Sequence, residues 1–92
     1  MGHQRRRIRF SGRVQGVGFR ATTVHLASDL ALAGTVENLD DGDVELVIEG
    51  APKDIDVLLQ RLREHFDRCI RSMSQDVAPA TGLLGQGIRV LR

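Results

Sequence analysis

Two residues near the middle of the chain, Asp41-Gly42, constrain the fold more than any others. They lie between two apolar runs, residues 32–38 and 43–49, and Asp-Gly in that setting signals a tight hairpin. A chain that turns back there cannot continue as a parallel, doubly wound sheet, whose strands need long crossovers. Alternation puts Gly34, Val36 and Asn38 on one face of the incoming strand and Glu37 on the other. In the outgoing strand Val44, Leu46 and Ile48 point inward, Glu45 and Glu49 outward, and Gly50 ends it.

The segments on either side follow the same logic. Residues 7–14 alternate, with Ile8, Phe10 and Val14 on one face, and predict a half-buried first strand. From residue 19 to 31 the period becomes helical: Val24, Ala27, Leu30 and Ala31 form a stripe, with Arg20 one turn ahead of Val24. His25 is turned away from that end of the helix and reads as a surface residue. Pro52 suits the first turn of a second helix, where its missing N–H does no harm. Ile55, Leu58, Leu59, Leu62 and Phe66 then make a strongly amphipathic face. Burying it contributes roughly 8–15 kcal/mol before conformational entropy is subtracted. Residues 69–74 offer a short extra strand, residues 78–87 a loop, and residues 88–91 a final strand with Ile88 and Val90 as its inner pair. The order βαββαβ packs two helices on one face of a four-stranded antiparallel sheet, an α+β sandwich.

Composition limits the rest. Ninety-two residues, 41% apolar and 27% charged, suit one domain spanning 1–92, with residues 1–6 a flexible N-terminal arm. A net charge of +1 gives no general pull toward nucleic acid or membrane. The triplet Arg5-Arg6-Arg7 leads straight into a strand and reads as a solvated edge. The single cysteine, Cys69, cannot form an internal disulfide and sits in no catalytic motif. No apolar run approaches the roughly 18 residues needed to span a bilayer, and the start lacks a signal-peptide core. The expectation is a cytoplasmic monomer.

Chemistry concentrates where the first strand meets the first helix, at Gln15-Gly16-Val17-Gly18-Phe19-Arg20. A glycine-rich loop feeding a helix N-terminus presents several backbone N–H groups in one direction, backed by the positive end of the helix dipole. An anion is the natural guest, and Arg20 adds a planar fork suited to phosphate. Walker A fails because no Lys-Ser or Lys-Thr follows the glycines. Gly16-x-Gly18-x-x-Ala21 loosely resembles a dinucleotide fingerprint, but the hairpin and the short chain exclude the fold it needs. Aligning Gly42 with an EF-hand glycine puts Leu39 and Ile48 at ligand positions. No His, Cys and carboxylate set has zinc spacing, so neither metal nor cofactor is expected. The first two strands run parallel in a βαββαβ sheet, so Asn38 ends at the same edge as the loop. Its amide either holds a water beside a bound phosphoryl group or merely caps the hairpin.

The block Gly12-Arg-Val-Gln15-Gly16-Val17-Gly18-Phe19-Arg20 resembles the signature of the acylphosphatase family. So does Gly34-Thr-Val36-Glu-Asn38-x-x-x-Gly42-x-Val44, closed by Gly50. The resemblance implies a ferredoxin-like fold and metal-free hydrolysis of small acyl phosphates to carboxylate and orthophosphate. It implies that Arg20, with the amides of Gln15, Gly16, Val17, Gly18 and Phe19, binds phosphate, and that Asn38 orients the attacking water. The sequence departs from the family pattern at Thr35 (usually aromatic), Glu37 (more often basic), Ala31 (often a glycine ending the first helix) and Gln86 (aromatic elsewhere). Two other readings compete: a non-catalytic anion-binding accessory module, and a nucleic-acid-binding domain of the same fold. The second needs exposed aromatics for base stacking, and the chain has only three, all Phe.

Overall fold

A computed structural model describes residues 2–92 and contains seven elements. In chain order these are β1 (Gln4–Gly12), α1 (Phe19–Leu26), β2 (Ala33–Asn38), β3 (Val44–Gly50), α2 (Pro52–His65), β4 (Ile70–Pro79) and β5 (Gly87–Val90). The strands form one sheet in the order β4-β1-β3-β2-β5. The first four are antiparallel to their neighbours, the ferredoxin-like arrangement; β5 adds to β2 in parallel and makes the sheet mixed. The fourth strand of the βαββαβ motif is therefore β4, and residues 88–91, expected in that place, form the fifth strand at the opposite edge.

The core is one cluster between helices and sheet. Ile8 and Phe10 from β1, Val36 from β2, Val44, Leu46 and Ile48 from β3, and Ile55, Leu58, Leu59 and Leu62 from α2 are all buried in it. Phe19 bridges Phe10 and Phe66, with ring centroids 4.9 and 4.6 Å away, so all three aromatics are consumed by packing.

Four boundaries differ from the sequence reading by two residues or more. β1 starts at Gln4, so Gln4, Arg5 and Arg6 belong to the sheet instead of a flexible arm; Met1 lies outside the described residues. β1 is also an interior strand. Its arginines are matched across it: Arg6 hydrogen-bonds Asp56 at 2.8 Å, while Arg5, Arg7 and Arg9 pair with Glu49, Glu45 and the Asp41/Asp43 turn on the open face. At its other end β1 stops at Gly12, and Val14 is buried from the loop. Gly12 has φ 125°, and a Cβ there would lie 2.3 Å from the Cys69 carbonyl oxygen, so only glycine fits where β4 begins.

α1 ends at Leu26, five residues short of the expected span; of the expected stripe Ala27 is buried and Leu30 packs against the core, Ala31 is exposed, and Phe19 and Thr23 supply the helix's own buried face. Arg61 of α2 explains the stop: its Nη1 donates to the Leu26 carbonyl at 2.8 Å and to Asp29 at 2.7 Å, tying off the helix end. Ala31 thus lies beyond the helix, and among the described residues no non-glycine has positive φ, so the missing glycine imposes no strain there. β4 runs from Ile70 to Pro79 along the whole of β1, well past the short strand expected at 69–74.

Candidate active site

β1 and β2 are each antiparallel to β3, so they run the same way and end at one edge of the sheet. The loop 13–18 leaves β1 there, and Asn38 ends β2 there. Between them lies a cavity of about 290 Å³ lined by Val14, Gly16, Gly18, Phe19, Arg20, Ala21, Asn38 and Val90. The volume is of the order of a phosphorylated small molecule. The structure thus brings together Gly16, Gly18, Phe19, Arg20 and Asn38 of the expected set, and leaves the side chains of Gln15 and Val17 out of the lining.

The loop is shaped by its glycines. Gly16 and Gly18 have φ of 76° and 80°, left-handed values that a side chain resists. Gly18 is the N-cap of α1, with no side-chain cap and no acidic residue in the first turn. Among the described residues no backbone carbonyl accepts from the N–H groups of residues 15–18. Donors that fold without an internal partner are available to a guest. Buried Thr23 serves the helix: its hydroxyl donates to the Phe19 carbonyl at 2.8 Å.

Gln15 has a role that sequence reasoning missed. Its Nε2 donates to the carbonyls of Leu39 at 2.8 Å and Asp43 at 3.0 Å, clamping the loop to the β2–β3 hairpin. The clamp fixes the separation between the loop glycines and Asn38. A long amide at the loop's start was the only signal in the sequence, and its partners lie 24 and 28 residues away.

Asn38 is half-buried on the helix side of β2, while its neighbour Glu37 pairs with Glu45 on the other face. Its backbone N–H donates to the Arg92 carbonyl at 2.8 Å, and Leu91 N–H donates to the Val36 carbonyl at 3.0 Å. These bonds lay β5 beside β2 and bring Val90, the second residue the sequence reading did not foresee, to the cavity. Arg20 has no carboxylate within ion-pair distance among the described residues. The acidic turn near the site is spoken for: Arg9 holds Asp41 and Asp43, the latter at 2.7 Å, and Arg92 holds Asp40 at 3.0 Å. The hydrogen bond from Arg9 keeps the Asp43 carboxyl below the usual carboxylate range and the guanidinium above its own.

A cavity at a strand–loop–helix junction, lined by glycines, an arginine with no carboxylate partner among the described residues and a facing amide, has the features of a phosphoryl-handling α+β sandwich. The comparisons specify it further. The acylphosphatase family model matches residues 6–83. An acylphosphatase of Haloarcula marismortui is 46% identical over 68 residues, covering 74% of this chain and 75% of that one. One from Paenarthrobacter aurescens is 44% identical over 77 residues, covering 80% of each. The crystal structure of acylphosphatase from Bacillus subtilis superposes with a TM-score of 0.82 at 27% identity, over 97% of this chain and 99% of that one. The chain belongs to the acylphosphatase family.

Proposed function

We propose that this chain hydrolyses the carboxyl-phosphate bond of small acyl phosphates, giving a carboxylate and orthophosphate, and that it does so in the cavity between loop 13–18 and Asn38. The observation that carries the reading is that Gly16, Gly18, Arg20 and Asn38, which come from two separated blocks of sequence, line one cavity.

The phosphoryl group sits on the backbone N–H groups of residues 15–19, and Arg20 forks onto its oxygens. Such preset donors stabilise the charge that redistributes as the phosphoryl group transfers. Asn38, offering both a donor and an acceptor, holds a water in line with the scissile P–O bond. The water oxygen bonds to phosphorus, the P–O bond to the acyl group breaks, and its electron pair leaves on the carboxylate. The substrate's own phosphate oxygen takes the water proton, so no side-chain base is required. A carboxylate leaves readily, so no general acid or metal is required either.

The open face of the sheet supports a monomer without nucleic-acid or membrane partners. Its arginine row, Arg5, Arg7 and Arg9, is matched by Glu49, Glu45 and the Asp41/Asp43 turn, and every Phe is buried. Among the described residues no helix is long and apolar enough to cross a membrane. A cytoplasmic location fits the lone thiol of Cys69.

The deciding assay follows orthophosphate release from benzoyl phosphate with and without a chelator. Turnover unchanged by chelator supports the mechanism. Phosphate binding without turnover makes the chain an anion-binding module, and loss of turnover on chelation makes the chemistry metal-assisted.

A further inference from the structure

Alternation along β3 turns Glu49 toward the open face of the sheet, yet this carboxylate is only 6% exposed. Segment 80–86 lies against it, carrying the chain from β4 at one edge of the sheet to β5 at the other. One carboxylate oxygen of Glu49 accepts from the Thr81 N–H at 2.9 Å and the Thr81 hydroxyl at 2.7 Å; the other accepts from the Gly82 N–H at 2.9 Å. Arg5 of β1 stands 3.8 Å away. Burial pushes the carboxyl up, and these donors outweigh it and hold the group below the usual carboxylate range. Backbone bonds tie the two ends of the segment: Ala80 N–H donates to the His3 carbonyl at 3.4 Å and Gly87 N–H to the Leu32 carbonyl at 3.0 Å.

Past Gly87 the chain becomes β5 and reaches the cavity between loop 13–18 and Asn38. There the Arg92 carbonyl accepts from Asn38 N–H, and Val90 stands at the cavity mouth, 49% exposed. β5 has four residues, β2 as its neighbour and only Ile88 half-buried, so little burial holds it in place. Its docking depends on how its entry is fixed, and Glu49 fixes that entry from the far end of the sheet. Glu49 pairs with Ala33, where β2 begins, while Asn38 ends β2 five residues on, about 17 Å away along the strand. We propose that Glu49 is a positioning residue for the hydrolysis: by latching Thr81 and Gly82 it docks β5, and β5 in turn holds Asn38 where it orients water. The proposal rests on the hydrolytic reading above and adds a remote determinant of turnover to it.

The test uses three variants. Glu49→Gln keeps the size but sets an amide donor against donors of residues 81–82; Thr81→Val removes the hydroxyl donor alone, and Thr81→Ser retains it. Turnover of benzoyl phosphate should fall about threefold to tenfold in Glu49→Gln and about twofold in Thr81→Val, with Thr81→Ser like wild type. Phosphate affinity, read by titration calorimetry, should stay within about twofold in all three, because the anion seat lies on loop 13–18. Amide hydrogen exchange at Asn38 and Leu91 should quicken about tenfold in Glu49→Gln while Ile8 and Leu46 keep their wild-type rates. In an Asn38→Ala background Glu49→Gln should lower kcat no further, a coupling that a general loss of stability does not produce. An additive loss in that background, an equal fall in kcat and phosphate affinity, or unchanged exchange at Asn38 would overturn the proposal. If Glu49→Gln does not fold, the Thr81→Val and Thr81→Ser pair decides by the same readouts. Absence of hydrolysis in the wild type removes the hydrolytic reading itself, whereas unchanged exchange in an active variant removes only the latch.

Discussion

The two helices begin in opposite ways. α2 starts after Ala51 in extended backbone, places Pro52 where a donor would otherwise be orphaned, and carries Asp54 in its first turn against the positive end of the dipole. The carbonyl of Ala51 accepts from both Asp54 and Ile55 N–H, at 3.0 and 3.1 Å. α1 starts from a left-handed glycine, has no acid in its first turn, and puts Arg20 near the positive end of its own dipole. That placement opposes helix stability by about 0.3–1 kcal/mol. Neither start has a side-chain cap, but the first turn of α2 carries its own acid against the dipole and that of α1 does not. In the reading proposed above, the anion of the substrate takes that place at α1.

Arg20→Lys should have the largest effect. It keeps the charge and loses the fork, and kcat/KM for benzoyl phosphate should fall about a hundredfold or more, with thermal stability nearly unchanged. Near wild-type turnover would mean that charge alone serves at the open helix end. Asn38→Ala sharpens the contrast between holding the anion and attacking it: turnover should fall about tenfold or more, while phosphate affinity, read by titration calorimetry, stays within about threefold. Loss of phosphate binding would make Asn38 part of the seat.

Gly18→Ala tests the backbone of the open end. The nearest atom to the added methyl would be Thr22 Oγ1 at 4.0 Å, so space is available and the cost is the left-handed φ of 80°. About 1–2 kcal/mol of stability should be lost, a fall in Tm of about 4–8 °C per kcal/mol, together with phosphate affinity. Unaltered affinity would show that the amides can be re-aimed cheaply. The smallest effect belongs to the closed end: Asp54→Ala should cost about 0.3–1 kcal/mol in chemical denaturation and leave turnover untouched. A change in activity there would erase the division between the two helix starts.

Local signals carried much of this. The Ile8/Phe10 alternation, the Asp41-Gly42 hairpin and the Ile55–Leu62 stripe each declare their elements within a few residues, because each buries one regular face. The loop and Arg20 were legible because a crowd of glycines before a helical period has few other uses. β4 was legible only in its first half, as the short strand at 69–74: it is an edge strand with only Ile70 and Met73 half-buried, and beyond Met73 its residues show no alternation to read. The end of α1 was overestimated because the Arg61 cap comes from 35 residues away.

Within the sequence lie β1, β2, β3, both helices and the glycine loop ahead of Arg20, since short-range sterics and burial periodicity dictate them; the roles expected of Arg20 and Asn38 came from the family resemblance. Only the folded chain decides that Gln15 is a clamp, that β5 docks in parallel and that Val90 stands at the cavity mouth. Those facts depend on hydrogen bonds between β5 and β2 and across the Gln15 clamp, contacts between residues far apart in sequence that leave no periodic trace in the amino acids themselves.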